Sequence, residues 1–273
     1  MRFTTIAGQS LAVEAVPLLE PERKVIRESL CHRDAGRAHL AIVDAYGRLE
    51  RRIQTAIASS GMIPACHPGC GWCCHGVKVN VTALEALVVA EHLNNESTSL
   101  GEAVQAAAAR RRTMNTDQLF ASKDPCPFLD SSNQCQIYEV RPSACRRHCC
   151  MDSSECERAV SNPELKLAVT QHAPANVAGA LSALAWAAAM EDAHLDYRMF
   201  ELISAVAVAL QPGAAEKWVR GERVFDAAAR AVDEQDQATI RAELGNDSGR
   251  VRQVAPPANT WKGHGKKRRQ PRS

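Results

Sequence analysis

Aromatic residues are scarce in this chain. Three Tyr, five Phe and four Trp make up 4% of 273 residues, and alanine carries much of the 45% hydrophobic fraction. Runs of β-branched residues are rare too, so little argues for an extensive sheet, and alanine is the strongest helix former. The composition predicts a mainly α protein. Long apolar runs are also missing. The nearest to a membrane span, 177–190, is short and alanine-heavy, and Glu191 and Asp192 close it. The apolar stretch 11–19 is broken by Glu14 and Pro17 and has only Arg2 ahead of it, which is not the pattern of an export signal. These absences predict a cytoplasmic protein with no membrane partner. There is no Gly-rich phosphate loop, serine triad or paired-carboxylate site, so the sequence names no catalytic residue and leaves enzymatic activity open.

Charge is low overall but uneven. Residues 245–273 hold eight Lys and Arg against the single acid Asp247, a balance of +7 within a whole-chain net of +2, so residues 1–244 carry −5. A mildly acidic body does not read as a nucleic-acid-binding domain. The tail, broken by Pro256, Pro257, Gly263 and Gly265, is predicted to be disordered over 246–273, with weak, nonspecific affinity for nucleic acid as its only such contribution.

Cysteine is what the chain has in concentration. Ten of its eleven cysteines fall between 66 and 156, four of them in Cys66-His-Pro-Gly-Cys70-Gly-Trp-Cys73-Cys74. Pro68, Gly69 and Gly71 keep this stretch out of regular helix or strand and let it curl. A curled loop can aim several sulfurs at one centre. In a reducing compartment such clusters bind metal or do redox chemistry more often than they form structural disulfides.

Around the cysteines the pattern is helical. Residues 1–20 give weak signals and are predicted to be a poorly ordered N-terminus. From Pro21 to about Ser60, apolar residues recur at threes and fours, predicting one helix with Cys31 as a small buried residue inside it and Gly61 as its stop. Thr82 and Glu85 form a capping box for a helix over 82–94, and a second helix spans 100–120 with Arg110, Arg111 and Arg112 on a solvated face. Cys126 and Cys135 flank the turn-rich Asp130-Ser-Ser-Asn133 on a small irregular hairpin. Pro142 starts a short helix carrying Cys145, Cys149 and Cys156, with Cys145 and Cys149 on one face. Residues 163–244 read as three or four further helices, over about 174–193, 195–210, 216–233 and 234–244. The domain division is therefore 21–160 for a cysteine-cluster domain with flanking helices and 161–245 for a C-terminal helical region, which could bind a protein partner.

Taken together, Cys70-Gly-Trp-Cys73-Cys74, Cys126-Pro-Phe-Leu129, Cys135-Gln-Ile-Tyr-Glu-Val-Arg-Pro142, Cys145-Arg146 and Cys156-Glu-Arg158 resemble the YkgJ-type cysteine-cluster family, described as zinc- or iron-chelating domains. The resemblance covers roughly residues 62–160. It implies a metal site of Cys66, Cys70, Cys73, Cys74, Cys126, Cys135, Cys145 and Cys156. One departure is visible: three residues, His67 to Gly69, separate the first two cysteines where the family usually has two. Cys31, Cys149 and Cys150 are extra to the pattern. One branch of the family resembles flagellin lysine N-methylases that use an iron–sulfur cluster, and this chain is short for that branch.

Thiolates suit zinc, copper(I) and iron–sulfur clusters. One tetrahedral zinc takes four, so eight or more imply two sites or a polynuclear cluster. Adjacent Cys73 and Cys74 more naturally serve two metals or one extended cluster, because the planar peptide points their side chains apart. Spacing fits both an iron–sulfur cluster and zinc. A radical SAM reading of Cys66-x3-Cys70-x2-Cys73 calls for a barrel of strands that the alanine-rich segments after it do not supply. His67, His75 and His148 are placed beside the site rather than in it, and Arg141 and Arg146 as supports. Three classes of function follow: a metal-binding protein, an iron–sulfur enzyme of methyl transfer or redox chemistry, or a helical interaction protein with structural zinc. The segment lengths predict that the eight thiols converge, with neighbouring sulfurs roughly 3–7 Å apart, that Cys31 stays outside, and that Cys149 and Cys150 are peripheral with at most one in reach.

Overall fold

The computed structural model describes residues 11–67, 69–96 and 98–229. The predicted helix over 234–244 and the basic tail over 246–273 lie outside the described residues. The fold is mainly α, with ten α-helices and one two-stranded sheet among the described residues.

Helix α1 (Leu11–Leu30) begins ahead of the predicted start at Pro21, so residues 11–20 are helical rather than poorly ordered. Its buried Leu19, Ile26 and Leu30 lie at helical spacing, and α1 packs on α2 (Ala35–Ser60) and α8 (Ala173–Asp192). The single helix predicted from Pro21 to Ser60 is broken at 31–34. Arg33 turns into the left-handed region at φ 54°, and the Asp34 side chain accepts the Arg37 N–H at 2.7 Å, capping α2. Cys31 therefore sits exposed in a turn and is not the buried helical residue expected. Gly61 ends α2 at φ 65°, as predicted.

A buried carboxylate ties the first two helices to α8. Glu22 on α1 is 2% exposed. It accepts from Arg48 Nη2 at 2.8 Å and from Trp186 Nε1 at 3.0 Å, and it pairs with Arg52. Arg52 in turn donates to Ser182 Oγ on α8 at 2.8 Å. Burial raises the Glu22 pKa, but the hydrogen bonds from Arg48, Arg52 and Trp186 outweigh it and hold the group below its ordinary value.

The central element is α3 (Ala83–Glu96), buried on every side over 83–90. It starts directly from β1 (Asn80–Thr82), which pairs antiparallel with β2 (Met199–Glu201) in the register Val81 to Phe200. The predicted capping box is present: Thr82 Oγ1 accepts the Glu85 N–H at 3.2 Å and Glu85 Oε2 accepts the Thr82 N–H at 3.0 Å. The predicted helix over 100–120 divides into α4 (Thr98–Arg111) and α5 (Thr116–Ser122). An Asn115–Gln118 capping box starts the second piece. After β2, α9 (Leu202–Ala209) packs on α3 and α4, and α10 (Ala214–Val219) follows. Buried residues from Leu19 to Ala228 form one continuous core, so the helices after 161 share it with those before 111. At 20 residues, α8 is long and apolar enough to cross a membrane by length and composition, which the sequence reading denied to any run. In this fold it packs against α1 and α2 and buries Trp186 and Met190 completely.

Candidate metal centre

The cysteine loop is held by its neighbours through backbone bonds. Cys70 N–H donates to the His67 carbonyl at 3.0 Å and Cys74 N–H to the Gly71 carbonyl at 3.0 Å, which curls 70–74 into a short 3-10 turn. The returning chain pairs with it: Cys126 N–H donates to the Cys74 carbonyl at 2.7 Å and Gly76 N–H to the Asp124 carbonyl at 2.9 Å. At Gly76 the chain turns with φ +65°, and a Cβ there would stand 2.8 Å from the backbone of Leu119 and Phe120, so only glycine fits. Asp124 is fixed from α4. Arg111 is buried and gives its Nε to Asp124 at 2.6 Å, and Arg110 adds a bond at 2.8 Å. Arg110 and Arg112 are exposed as predicted, whereas Arg111 departs from the solvated face expected and is buried against Asp124 beneath the cysteine loop.

Cys126 and Cys135 lie on the irregular hairpin predicted for them. Gln136 N–H donates to the Phe128 carbonyl at 2.8 Å, Leu129 and Cys135 bridge antiparallel, and the Asp130 side chain accepts from Ser132 and Gln134 across the turn. Two short helices follow, α6 (Ser143–Arg147) and α7 (Ser153–Ser161). The single helix expected through Cys156 is interrupted at His148, so Cys145 and Cys149 do not share a helical face. Cys149 and Cys150 run extended between the two helices. Cys150 pairs with Gln171, its carbonyl accepts the Ala65 N–H at 2.8 Å, and the Cys149 carbonyl accepts the His172 N–H at 2.8 Å. Helix α7, carrying Cys156, packs on Trp72–Cys74.

All eleven cysteines are free thiols. The Cys145 thiol interacts electrostatically with those of Cys126, Cys73 and Cys135, and Cys135 with Cys73. Cys73 is hydrogen-bonded to Cys74. Cys66 Sγ stands 3.4 Å from Cys150 Sγ and accepts the Cys150 N–H at 3.1 Å. Cys150 is hydrogen-bonded to Cys156 and interacts with Cys70. Electrostatic coupling links all eight predicted cysteines into a web, directly or through one another. Of Cys149 and Cys150, at most one of which was expected in reach, Cys150 stands against Cys66 and is 0% exposed, while Cys149 is coupled to Cys66 and Cys73. The signal for Cys150 was present in the sequence as a second adjacent pair, Cys149–Cys150, mirroring Cys73–Cys74.

Burial pushes Cys66 and Cys126 up to about 12 and Cys149 and Cys150 up to about 11; the bond to Cys74, then burial, holds Cys73 far above the ordinary thiol range. Arg141 is the cation facing the group. It lowers the pKa of Cys73, Cys135, Cys145 and Cys149, its guanidinium lies 3.8 Å over the Tyr138 ring, and its Nε is buried without a hydrogen-bond partner. Arg146 supports the fold as expected, donating to the Arg141 carbonyl at 2.8 Å and lying 4.4 Å over the Tyr46 ring of α2. His75 donates from Nδ1 to the Gly71 carbonyl at 2.9 Å, and burial lowers the His148 pKa. The Cys66 thiol donates to the His148 backbone carbonyl at 3.9 Å.

As the side chains stand, no three His, Cys, Asp or Glu among the described residues are arranged to hold a metal ion together. The donor chemistry nevertheless fits a thiophilic metal: soft sulfur donors from four separate stretches of chain, unoxidised and gathered beside a partnerless guanidinium nitrogen. No curated protein and no solved structure matches the chain. The segment that builds this web, residues 65–165, matches the family model described as "CxxCxxCC: Putative zinc- or iron-chelating domain", the family its cysteine motifs resemble.

Proposed function

We propose that this chain is a metal-binding protein whose thiol web holds an iron–sulfur cluster or zinc through Cys66, Cys70, Cys73, Cys74, Cys126, Cys135, Cys145 and Cys156. The observation that carries the reading is the convergence of free thiols from the 66–74 loop, the 126–135 hairpin, α6 and α7. A purely structural role for so many free cysteines would call for disulfides or apolar packing, and neither accounts for Cys66, Cys70 and Cys73, all at least partly exposed. The reducing cytoplasm is the compartment in which such thiols stay available to metal.

The chain's own residues set the terms of binding. Raised thiol pKa values mean that uptake releases protons, so affinity rises with pH. Arg141 offsets part of the negative charge that several thiolates bring. Zinc would act by cross-linking the four stretches of chain, whereas an iron–sulfur cluster would supply one-electron chemistry. An absorbance spectrum of anaerobically purified protein tests the reading together with metal analysis. Broad bands near ~400 nm identify iron–sulfur, and zinc, with its filled d shell, gives none. Protein that contains neither metal and takes up neither on reconstitution overturns it.

A further inference from the structure

We propose that Cys150 is a metal-ligating thiol, completing with Cys66, Cys70 and Cys156 a four-sulfur subsite separate from one formed by Cys73, Cys126, Cys135 and Cys145. The inference rests on the metal-binding reading above and revises its ligand set: Cys150, outside the family's eight-cysteine pattern, takes the place of Cys74, which joins neither set.

The geometry begins with Cys66. Its Sγ lies 3.4 Å from Cys150 Sγ. Two sulfurs bonded to one tetrahedral metal at ~2.3 Å stand about 3.8 Å apart, so this pair is already close to the separation a shared ion requires. The pair is also framed by backbone. Ala65 N–H donates to the Cys150 carbonyl at 2.8 Å, and Cys150 N–H donates to Cys66 Sγ at 3.1 Å. A backbone N–H aimed at sulfur stabilises the thiolate a metal needs. These bonds join segments 84 residues apart, so the pairing is built by the fold and not by local sequence.

The extra residue between Cys66 and Cys70 gives the pairing its reason. Relative to the family spacing, Cys66 is displaced along the loop, and the thiol waiting beside it is one the family pattern lacks. From α7, which packs on Trp72–Cys74, Cys156 is coupled electrostatically to Cys66, Cys70 and Cys150, and Cys70 is coupled to Cys150 as well. On the far side, Cys126 N–H is bonded to the Cys74 carbonyl, and the hairpin and α6 bring Cys135 and Cys145 toward Cys73. Cys73 is coupled to both groups, to Cys66 and Cys156 on one side and to Cys135 and Cys145 on the other, and the proposal assigns it to the second. Ten thiols thus supply two sets of four, with Cys74 hydrogen-bonded to Cys73 between them and Cys149 at the edge. Metal binding draws Cys70 and Cys156 onto the Cys66–Cys150 pair.

The test uses the full chain, purified anaerobically, stripped of metal and titrated with zinc(II), then with cobalt(II) as a visible probe of thiolate coordination. Wild type is expected to take two equivalents. Cys150→Ser and Cys66→Ser are expected each to lose the same single equivalent, with no further loss in the double variant. Cys126→Ser is expected to lose the other, and Cys149→Ser neither. Cys150→Ser that retains both equivalents with an unchanged cobalt spectrum overturns the inference. So does loss of one common equivalent in both Cys150→Ser and Cys126→Ser. Wild type that takes no zinc or cobalt overturns the underlying reading as well, a result distinct from either. A readout independent of variant folding is alkylation of wild type with and without zinc, followed by mass spectrometry. Cys150 is expected to gain protection together with Cys66, and equal alkylation of Cys150 in both conditions overturns the assignment. Isolation of wild type two hydrogens lighter, with Cys66 joined to Cys150, would instead identify a disulfide pair and likewise overturn it.

Discussion

Glu85 Oε1 accepts the backbone N–H of Ser143 at 2.7 Å, while Oε2 of the same carboxylate caps the start of α3. One fully buried side chain thus joins the N-terminus of the central helix to the N-terminus of the helix that carries Cys145. Removing it leaves the N–H groups of Thr82 and Ser143 without their acceptor. At ~1–3 kcal/mol for each of the two buried groups left unsatisfied, Glu85→Ala is expected to lose about 2–6 kcal/mol in urea unfolding. Glu85→Gln keeps the length and is expected to lose less. Equal losses in the two variants would show that the acceptor oxygens contribute little.

Cys73→Ser and Cys126→Ser are expected to lower metal content and to lower the melting temperature of metal-loaded protein. Metal free energy at such sites is also folding free energy, on the order of 10–16 kcal/mol for a structural zinc, so losing part of one site costs at least about 3 kcal/mol. Cys31→Ser, in the exposed turn before α2, is expected to change neither. Metal analysis and calorimetry on the three variants check this, and a Cys31→Ser variant short of metal would remove Cys31 from its place outside the site.

Glu22 makes the α1–α2–α8 junction sensitive to acid. Its folded pKa lies below the unfolded value of about 4.3. The stability this contributes is therefore present above that unfolded value and is lost as pH falls through the lower folded one. Metal-free protein is the right sample, because thiol protonation dominates otherwise. The stability difference between wild type and Glu22→Gln is expected to be constant from pH 7 to about 5 and to shrink below about 4. A difference that does not change across that range would remove the titration of Glu22 as its cause.

Deleting residues 247–273 is expected to leave metal content unchanged and to weaken any salt-sensitive binding to nucleic acid. The eight Lys and Arg between 245 and 273 supply that charge, and no cysteine lies there. Metal analysis and a DNA-binding titration at two salt concentrations check both halves, and loss of metal on deletion would make the tail part of the site.

The devices that were legible in the sequence are local ones. The Thr82–Glu85 box, the Gly61 stop, the turn around Asp130 and the α8 helix all depend on neighbours within a few residues. Two helix breaks had local signals that a continuous apolar rhythm obscured: Asp34 ahead of α2, and Asn115 with Gln118 ahead of α5. The rest could not be read in advance because it is made at long range. Nothing near Glu22 announces Arg52 and Trp186, and nothing near Arg111 announces that Asp124 will sit beneath the cysteine loop. The cysteine spacing marked out candidate thiols but not their pairing, since which thiol meets Cys66 depends on the path of residues 148–150 past Ala65.

That pairing has a consequence for how the protein is made. Cys66 and Cys156 mark the two ends of the web and are ninety residues apart in the chain. At a synthesis rate of ~5–20 residues per second, roughly 5–18 seconds separate them on the ribosome. During that interval, on the proposed assignment, the first four thiols stand without Cys126, Cys135, Cys145, Cys150 and Cys156. Neither proposed set of four is complete until its later members emerge, so uptake of both proposed ions is expected to follow synthesis of most of the chain.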